Sequence, residues 1–130
     1  MSRLQEMFLK LAGLNLSKRR RLGTGFKVGA ALYDVRRVCY VNGKALIFNK
    51  NYFLILAAHG LTEEIATNSI YDYLENVLKM KIMTSKRKMT TKLATSEDKK
   101  YLELDDYNCL AIISGRVFNG DGVQFEYSLN

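Results

Sequence analysis

The pair Asn42 and Gly43 constrains the fold more than any other local feature of this chain. It interrupts a stretch rich in Val, Ala, Leu, Tyr, Ile and Phe, at the point where a two-residue turn would join two strands. We therefore predict that residues 36–41 and 44–48 pair as an antiparallel hairpin. Residues 52–57 indicate a further short buried strand.

Two segments have the periodicity of helices. The second is the clearer: in residues 62–78, Thr62 is placed to cap the helix, and Glu63 and Glu64 occupy its first turn. The first covers residues 2–16, where Ser2 and Gln5 have capping-box spacing. Its apolar residues recur at spacings of three and four, as one helical face requires: Leu4, Met7, Phe8, Leu11 and Leu14.

The rest of the chain contains one more hairpin and one segment without a clear period. Residues 80–83 resemble a brief strand, and residues 108–114 and 123–129 predict a closing hairpin. Residues 84–104 are expected to form a basic loop. With 130 residues, of which 48% are hydrophobic, the chain can bury one core. We predict an α+β fold in which two helices pack on small antiparallel β-sheets, as a single compact domain over residues 1–130.

Positive charge is concentrated in two regions of the chain. Residues 17–44 contain 8 cationic and 1 anionic side chain, and residues 79–100 contain 8 and 2. Such segregation attracts polyanions, and phosphate contacts supply much of the affinity of proteins for nucleic acids. The charge pattern therefore favours a nucleic-acid binder, with a solvated basic surface as the alternative.

The residues that usually carry chemistry are sparse. Cys39 and Cys109 stand in strand-like surroundings, which favours free thiols over a disulfide or a zinc site. His59 is the only histidine, and no nucleophile motif accompanies it. We expect a protein that is not an enzyme, with no catalytic residue, metal or cofactor.

The start of the chain does not resemble a signal peptide. Glu6 lies inside its apolar stretch, and no small-residue cleavage site follows. No apolar run approaches the length of a membrane span. We expect a cytoplasmic protein with no membrane partner.

One stretch resembles a nucleoside deaminase. Residues 26–32, followed by His59 and Glu63, have a superficial likeness to those zinc enzymes. The enzymes need an H-x-E element and a P-C-x-x-C pair, and this chain has neither. If that fold is present, its chemistry should be absent.

A longer collinear series is similar to the RegA translational repressors of T4-like bacteriophages. The series comprises residues 32–33, 39–53, 60, 62–64, 69–75, 81–83, 108–114 and 125–129. The resemblance implies a small α+β protein that binds single-stranded mRNA near translation initiation sites and blocks the ribosome. It also implies the cytoplasm of a phage host as the location, and no cofactor.

The predicted RNA-binding residues come both from the resemblance to RegA and from the charge pattern. The resemblance implies Lys10 in the first helix and, across a gap, Lys18 and Arg19. It aligns Gly115 with an aromatic residue of the family, and Phe118 follows three residues later. Charge and aromatic content add further candidates, which are Arg20, Arg21, Arg36, Arg37, Tyr40, Lys86, Arg87, Lys88 and Arg116.

These observations together predict a phage-type RNA-binding translational repressor whose partner is single-stranded RNA. Whether it acts as a monomer or as a homodimer is left open. Two alternatives remain at this point. One is a protein-interaction module whose basic surface docks an acidic host protein, and the other is a catalytically inactive deaminase-like protein.

Overall fold

The computed structural model describes residues 4–16 and 24–130, and these residues build a six-stranded antiparallel sheet. The strand order is β1-β2-β3-β6-β5-β4, so the last strand lies at the centre between β3 and β5. The strands are β1 (Leu4–Asn15), β2 (Ala31–Val41), β3 (Lys44–Leu54), β4 (Ile82–Leu93), β5 (Cys109–Asn119) and β6 (Gln124–Leu129). The helical segments are α1 (Glu63–Thr67), α2 (Ile70–Asp72), a π-helical segment (Tyr73–Val77) and α3 (Ser96–Tyr101).

The hairpin at Asn42 and Gly43 is confirmed. Val41 pairs with Lys44, and the two turn residues have φ angles of 53° and 82°. Positive φ at both positions is what a two-residue hairpin turn requires. The strand after the turn is longer than predicted, because β3 runs without a break to Leu54 and absorbs the start of the strand expected at residues 52–57.

The closing hairpin is also present, as β5 and β6 pair antiparallel. Between the two predicted hairpins the sequence was less informative. Where a basic loop is expected at residues 84–104, the structure has most of strand β4 followed by helix α3. Alternating polar and basic residues on an edge strand carry little apolar periodicity, because neither face of such a strand needs to be buried.

The predicted first helix is wrong, since this segment is strand β1. Phe8 pairs with Arg37 and Lys10 pairs with Arg36, so Leu9 is an extra residue in a β-bulge. The bulge places Phe8 and Leu11, three residues apart, against one core cluster, and Leu9 against another. A bulged strand thereby reproduces the three-residue spacing of a helix.

The second helix begins at Thr62 as predicted but is not continuous. The Thr62 hydroxyl accepts a hydrogen bond from the amide of Ile65. Asn68 leaves the helical region at φ −87° and ψ −98°, and Ser69 then caps a second start. One predicted helix is therefore three short segments that lie on the sheet.

The predicted fold class is consequently wrong. The described chain is one sheet of six strands with short helical segments, not two helices on small sheets. The error follows from the bulge in β1, which disguised a strand, and from the interruption at Asn68, which shortened a helix.

Alternation along β2 defines the two faces of the sheet. Val35 packs with the helical segments of residues 63–77, and we call this the helical face. Val38 packs with Leu102, just after α3, and we call this the opposite face. Side chains next to each other on a strand point to opposite faces, so Arg36 and Arg37 are separated by the sheet.

Candidate functional site

A polar cavity of about 210 Å³ lies on the helical face, between the sheet and α2. Strands β3, β4, β5 and β6 and helix α2 all contribute to its wall. The polar and small residues that line it are Asn51, Tyr71, Ser85, Arg87, Gly115, Glu126, Ser128 and Asn130.

Glu126 is the most deeply buried polar group of this cavity, with 2% of its surface exposed. The Asn51 Nδ2 donates a hydrogen bond to its Oε2 atom at 2.7 Å, and the Tyr71 hydroxyl donates to its Oε1 atom. The pairing of Phe53 with Glu126 in the central strands sets the side chain on the helical face. Both carboxylate oxygens are therefore held in place.

Burial changes the acid–base behaviour of this pair. It raises the pKa of Glu126 above its ordinary value, although the hydrogen bonds from Tyr71 and Asn51 act in the other direction. Burial, followed by the charge of Glu126, also raises the pKa of Tyr71. Tyr71 is therefore a hydroxyl donor throughout the physiological range.

Arg37 extends the polar network away from the cavity. Its Nη2 donates to the Oδ1 atom of Asn51 at 3.0 Å, and its Nη1 donates to the Oε1 atom of Glu6 at 2.8 Å. Its Nε is buried and has no hydrogen-bond partner. Buried donors without partners are rare in proteins and point to places where something else binds or rearranges.

Chemically, the cavity presents donors and acceptors at close range. Tyr71, Ser85 and Ser128 carry hydroxyl groups, Glu126 carries a carboxylate, and Arg87 brings a cation from the edge strand. Such a set suits a small molecule rich in hydroxyl groups.

The opposite face holds a second charged network. Asp34 is 1% exposed and accepts from the Nε atom of Arg36 at 3.3 Å, while the Lys10 Nζ lies 3.5 Å from its Oδ2 atom. Arg36 also bonds Glu97, which the Lys50 Nζ contacts at 3.1 Å. Each of the three cations in this network therefore contacts at least one of its two acids.

The predicted RNA-binding residues do not form one surface. Lys18, Arg19, Arg20 and Arg21 lie outside the described residues. Lys10 and Arg36 belong to the network on the opposite face, and Tyr40 packs against a core cluster there. Arg37 and Arg87 are on the helical face, in or next to the polar cavity.

Four other predicted residues come together on the opposite face. Lys86, Lys88 and Arg116 line a groove of about 410 Å³, and the Lys86 Nζ lies 5.8 Å from the ring centroid of Phe118. Lys86 pairs with Arg116 across β4 and β5. The sheet separates most of this groove from the polar cavity, and the two share Arg87 and Gly115 in their lining.

Sequence reasoning missed the centre of the cavity, which consists of Asn51, Tyr71 and Glu126. One signal was available for Glu126, which follows Phe125 in a short strand whose apolar neighbours indicate burial. An acidic residue in a buried strand is unusual enough to mark a site. No comparable local signal distinguishes Asn51 or Tyr71.

Residues 4–16 and 24–130 contain neither a candidate metal site nor a candidate membrane-spanning helix. There is no cluster of three or more His, Cys, Asp or Glu side chains that could hold a metal ion in this part of the chain. No helix among these residues is long and apolar enough to cross a membrane.

Comparison with known proteins identifies similar sequences. Residues 6–130 match the UTRA domain. The HTH-type transcriptional regulator TreR of Bacillus subtilis is 31% identical over 97 residues, which cover 75% of this chain and 41% of the regulator. The HTH-type transcriptional regulator GmuR of the same organism is 26% identical over 99 residues. The chain spans about two fifths of the length of these curated relatives.

Solved structures show the same fold. The effector-binding domain of the Bacillus subtilis trehalose repressor TreR superposes with a TM-score of 0.83 and 26% identity, covering 95% of this chain and 86% of that domain. The possible transcriptional regulator YydK of Bacillus subtilis superposes at 0.84 with 23% identity, over 97% of this chain and 55% of that one.

These matches overturn the functional predictions. The resemblance to RegA is wrong, as are translational repression, single-stranded RNA as the partner and the two alternatives of a host-docking module and an inactive deaminase. The relatives are bacterial transcriptional regulators, and nothing among them supports a phage origin. The RegA series had no specific motif, and short apolar strands with Asn-Gly turns recur in unrelated sheet proteins.

Proposed function

Since this chain belongs to the UTRA domain family, we propose that it is an effector-binding domain of a transcriptional regulator and that its effector binds in the polar cavity. The buried carboxylate of Glu126, held by Asn51 and Tyr71 at the cavity wall, is the observation that carries this proposal. Burying an acid is costly to a fold even when it is hydrogen-bonded, so its retention favours a role in binding.

The size and lining of the cavity favour a small, polar effector. Its volume of about 210 Å³ lies below the range of about 300–1,000 Å³ that is typical of ligand pockets. One structural relative is the effector-binding domain of a trehalose repressor, so a carbohydrate is a reasonable class to test first. Hydroxyl groups of a sugar can donate to Glu126 and accept from Tyr71 or Arg87.

The chain acts by binding, without catalysis. The proposal requires no bond to break, because occupancy of the cavity is the signal. In a whole regulator the domain would act together with a DNA-binding region, and transcription from a bacterial operator would be the output. In this proposal the domain functions in the interior of a bacterial cell.

Titration of the protein with trehalose and with glucose, followed by two-dimensional NMR, tests the site. We expect shifts at Asn51, Tyr71, Gly115 and Ser128. Tyr71→Phe should reduce the response, and Tyr107→Phe, the same change at an exposed position, should not. Shifts that map to the groove of Lys86 and Arg116 would overturn the cavity as the effector site.

A further inference from the structure

The polar network of the cavity continues beyond it to the first strand. Glu6 lies on β1, with 40% of its side chain exposed, and does not line the cavity. It accepts from Arg37, Arg37 donates to Asn51, and Asn51 donates to Glu126. This continuous relay runs from an edge strand to the centre of the sheet.

We propose that Glu6 is a positioning residue for the effector site, acting through Arg37 and Asn51. That the cavity binds an effector rests on the proposed function. That Glu6, from outside the cavity, sets the arrangement of the groups inside it can be tested in the protein without ligand.

Arg37 is held at two points. Its Nη1 bonds Glu6 and its Nη2 bonds Asn51, on strands that lie on either side of β2. A guanidinium group is planar and rigid, so two bonds fix the direction of its remaining N–H groups. Without Glu6, one of the two points is lost and the plane can rotate about the other.

The hold on Arg37 influences which way the Asn51 amide points. Because the Asn51 Oδ1 accepts from Arg37, its Nδ2 is directed at the Oε2 atom of Glu126, 2.7 Å away. An amide turned the other way would place two oxygen atoms against each other. Arg37 and Glu126 therefore favour the same amide orientation, and Arg37 adds to the preference for a donor facing the carboxylate.

Glu6 also balances charge in this part of the molecule. The charged and titratable groups around the relay are Glu6 from β1, Arg37 from β2, Glu126 from β6, Arg87 from β4 and Tyr71 from α2. The charges of Arg37 and Arg87 act to lower the pKa of Glu126. Glu6 offsets the charge of Arg37, so its removal should strengthen the effect of Arg37 on the buried acid.

Two variants at Glu6 separate geometry from charge. Glu6→Ala removes both the acceptor and the charge, whereas Glu6→Gln keeps an acceptor for Arg37 and loses only the charge. NMR of the ligand-free protein follows the Asn51 side-chain amide and the titration of the Glu126 carboxyl carbon. We expect the Asn51 amide resonances to move in Glu6→Ala and to stay in place in Glu6→Gln. The titration midpoint of Glu126 should fall in both.

The matched control removes a different surface ion pair. Asp105→Ala deletes the exposed partner of Lys44 and should alter neither signal. If Glu6→Ala leaves the Asn51 resonances and the Glu126 midpoint at their wild-type values, the proposal is wrong, even where stability falls. Since no ligand is added, this result is independent of whether trehalose or glucose binds.

Discussion

Arg36 and Arg37 are neighbours on β2, yet they serve two different regions of the molecule. On the opposite face, Arg36 is bound by Asp34 and Glu97. Burial works against its charge, but the hydrogen bond and charge of Asp34 outweigh burial and raise its pKa. On the helical face, Arg37 keeps one buried donor without a partner, next to an acid whose pKa is raised by burial.

The difference separates a network of paired charges from the network that we propose binds the effector. Within the network around Asp34 and Glu97 on the opposite face, every cation contacts a carboxylate. The network of the helical face holds Glu126 where its ionisation is disfavoured. The two networks therefore differ in how fully their charged groups are paired with groups of opposite charge.

The largest effect should follow from removing the centre of the opposite-face network. Asp34→Ala leaves Arg36 partly buried without its main partner, and breaking a buried pair in this way costs about 3–5 kcal/mol. Urea denaturation should show the loss as a lower midpoint with an unchanged slope. Asp105→Ala, at an exposed ion pair, should leave the midpoint near its wild-type value. If the two variants lower the midpoint equally, the buried network around Asp34 is no more important for stability than an exposed ion pair.

Removing a hydrogen-bond donor from the cavity should affect binding more than folding. Tyr71→Phe deletes the hydroxyl that bonds Glu126. In the proposed complex the same hydroxyl donates to the effector, and loss of one such hydrogen bond corresponds to roughly tenfold weaker effector binding. Isothermal titration calorimetry with the sugar that binds would measure it. A variant that binds as tightly as wild type would show that Tyr71 supports the fold only.

The two networks should respond to pH with opposite signs. Glu97 has a lowered pKa because its bonds to Lys50 and Arg36 outweigh burial, so its contribution to stability is present at neutral pH and is lost as pH falls. Glu126 has a raised pKa, so its contribution is present in acid and is lost as pH rises through the folded-state value.

Glu126→Gln sharpens this contrast. It should make the protein more stable than wild type near neutral pH, and the gain should disappear towards the unfolded pKa of Glu, at about pH 4. Glu97→Gln should lose stability at neutral pH and converge with wild type in acid. Thermal unfolding across the pH range, followed by circular dichroism, provides both curves. If stability relative to wild type changes with pH in the same direction for the two variants, the opposite pKa shifts assigned to Glu97 and Glu126 are wrong.

A smaller effect is expected at Gly115, which lies in the cavity wall. A Cβ atom there would come within 3.0 Å of the Ser128 Oγ, so the serine must shift slightly. Gly115→Ala should weaken effector binding a few-fold, since it narrows the cavity, and should change the urea midpoint little. Gly13→Ala, where a Cβ atom meets nothing within 4 Å, is the matched control. If both variants bind alike, the ligand does not reach Gly115.

The two hairpins could be predicted from the residues of their turns. The first strand and the interruption of the helix could not be predicted from the sequence. A two-residue hairpin turn requires positive φ at both positions, and Asn and Gly are the residues that adopt it most readily, so Asn42 and Gly43 identify the turn from sequence alone. The bulge at Leu9 depends on the partner strand, and its apolar spacing is identical to that of a helix.

The site was harder to predict for a related reason. Arg37 and Arg87 were selected for their charge, but the same argument selected Arg36, which lies on the other side of the sheet. Asn51, Tyr71 and Glu126 come from three separate segments, and only the pairing of β3 with β6 and the docking of α2 bring them together. Long-range register of this kind leaves no trace in a local pattern.

The interruption at Asn68 and Ser69 has a kinetic consequence for the cavity. Helical segments of five, three and five residues are too short to persist alone, so they depend on their contacts with the sheet. Amide protons of residues 70–77 should therefore exchange with solvent through local opening. Those of β2 and β3 should exchange only when the whole domain unfolds. Because Tyr71 belongs to the segment that is expected to open, such opening would also give the proposed effector a way into the cavity while the sheet stays intact.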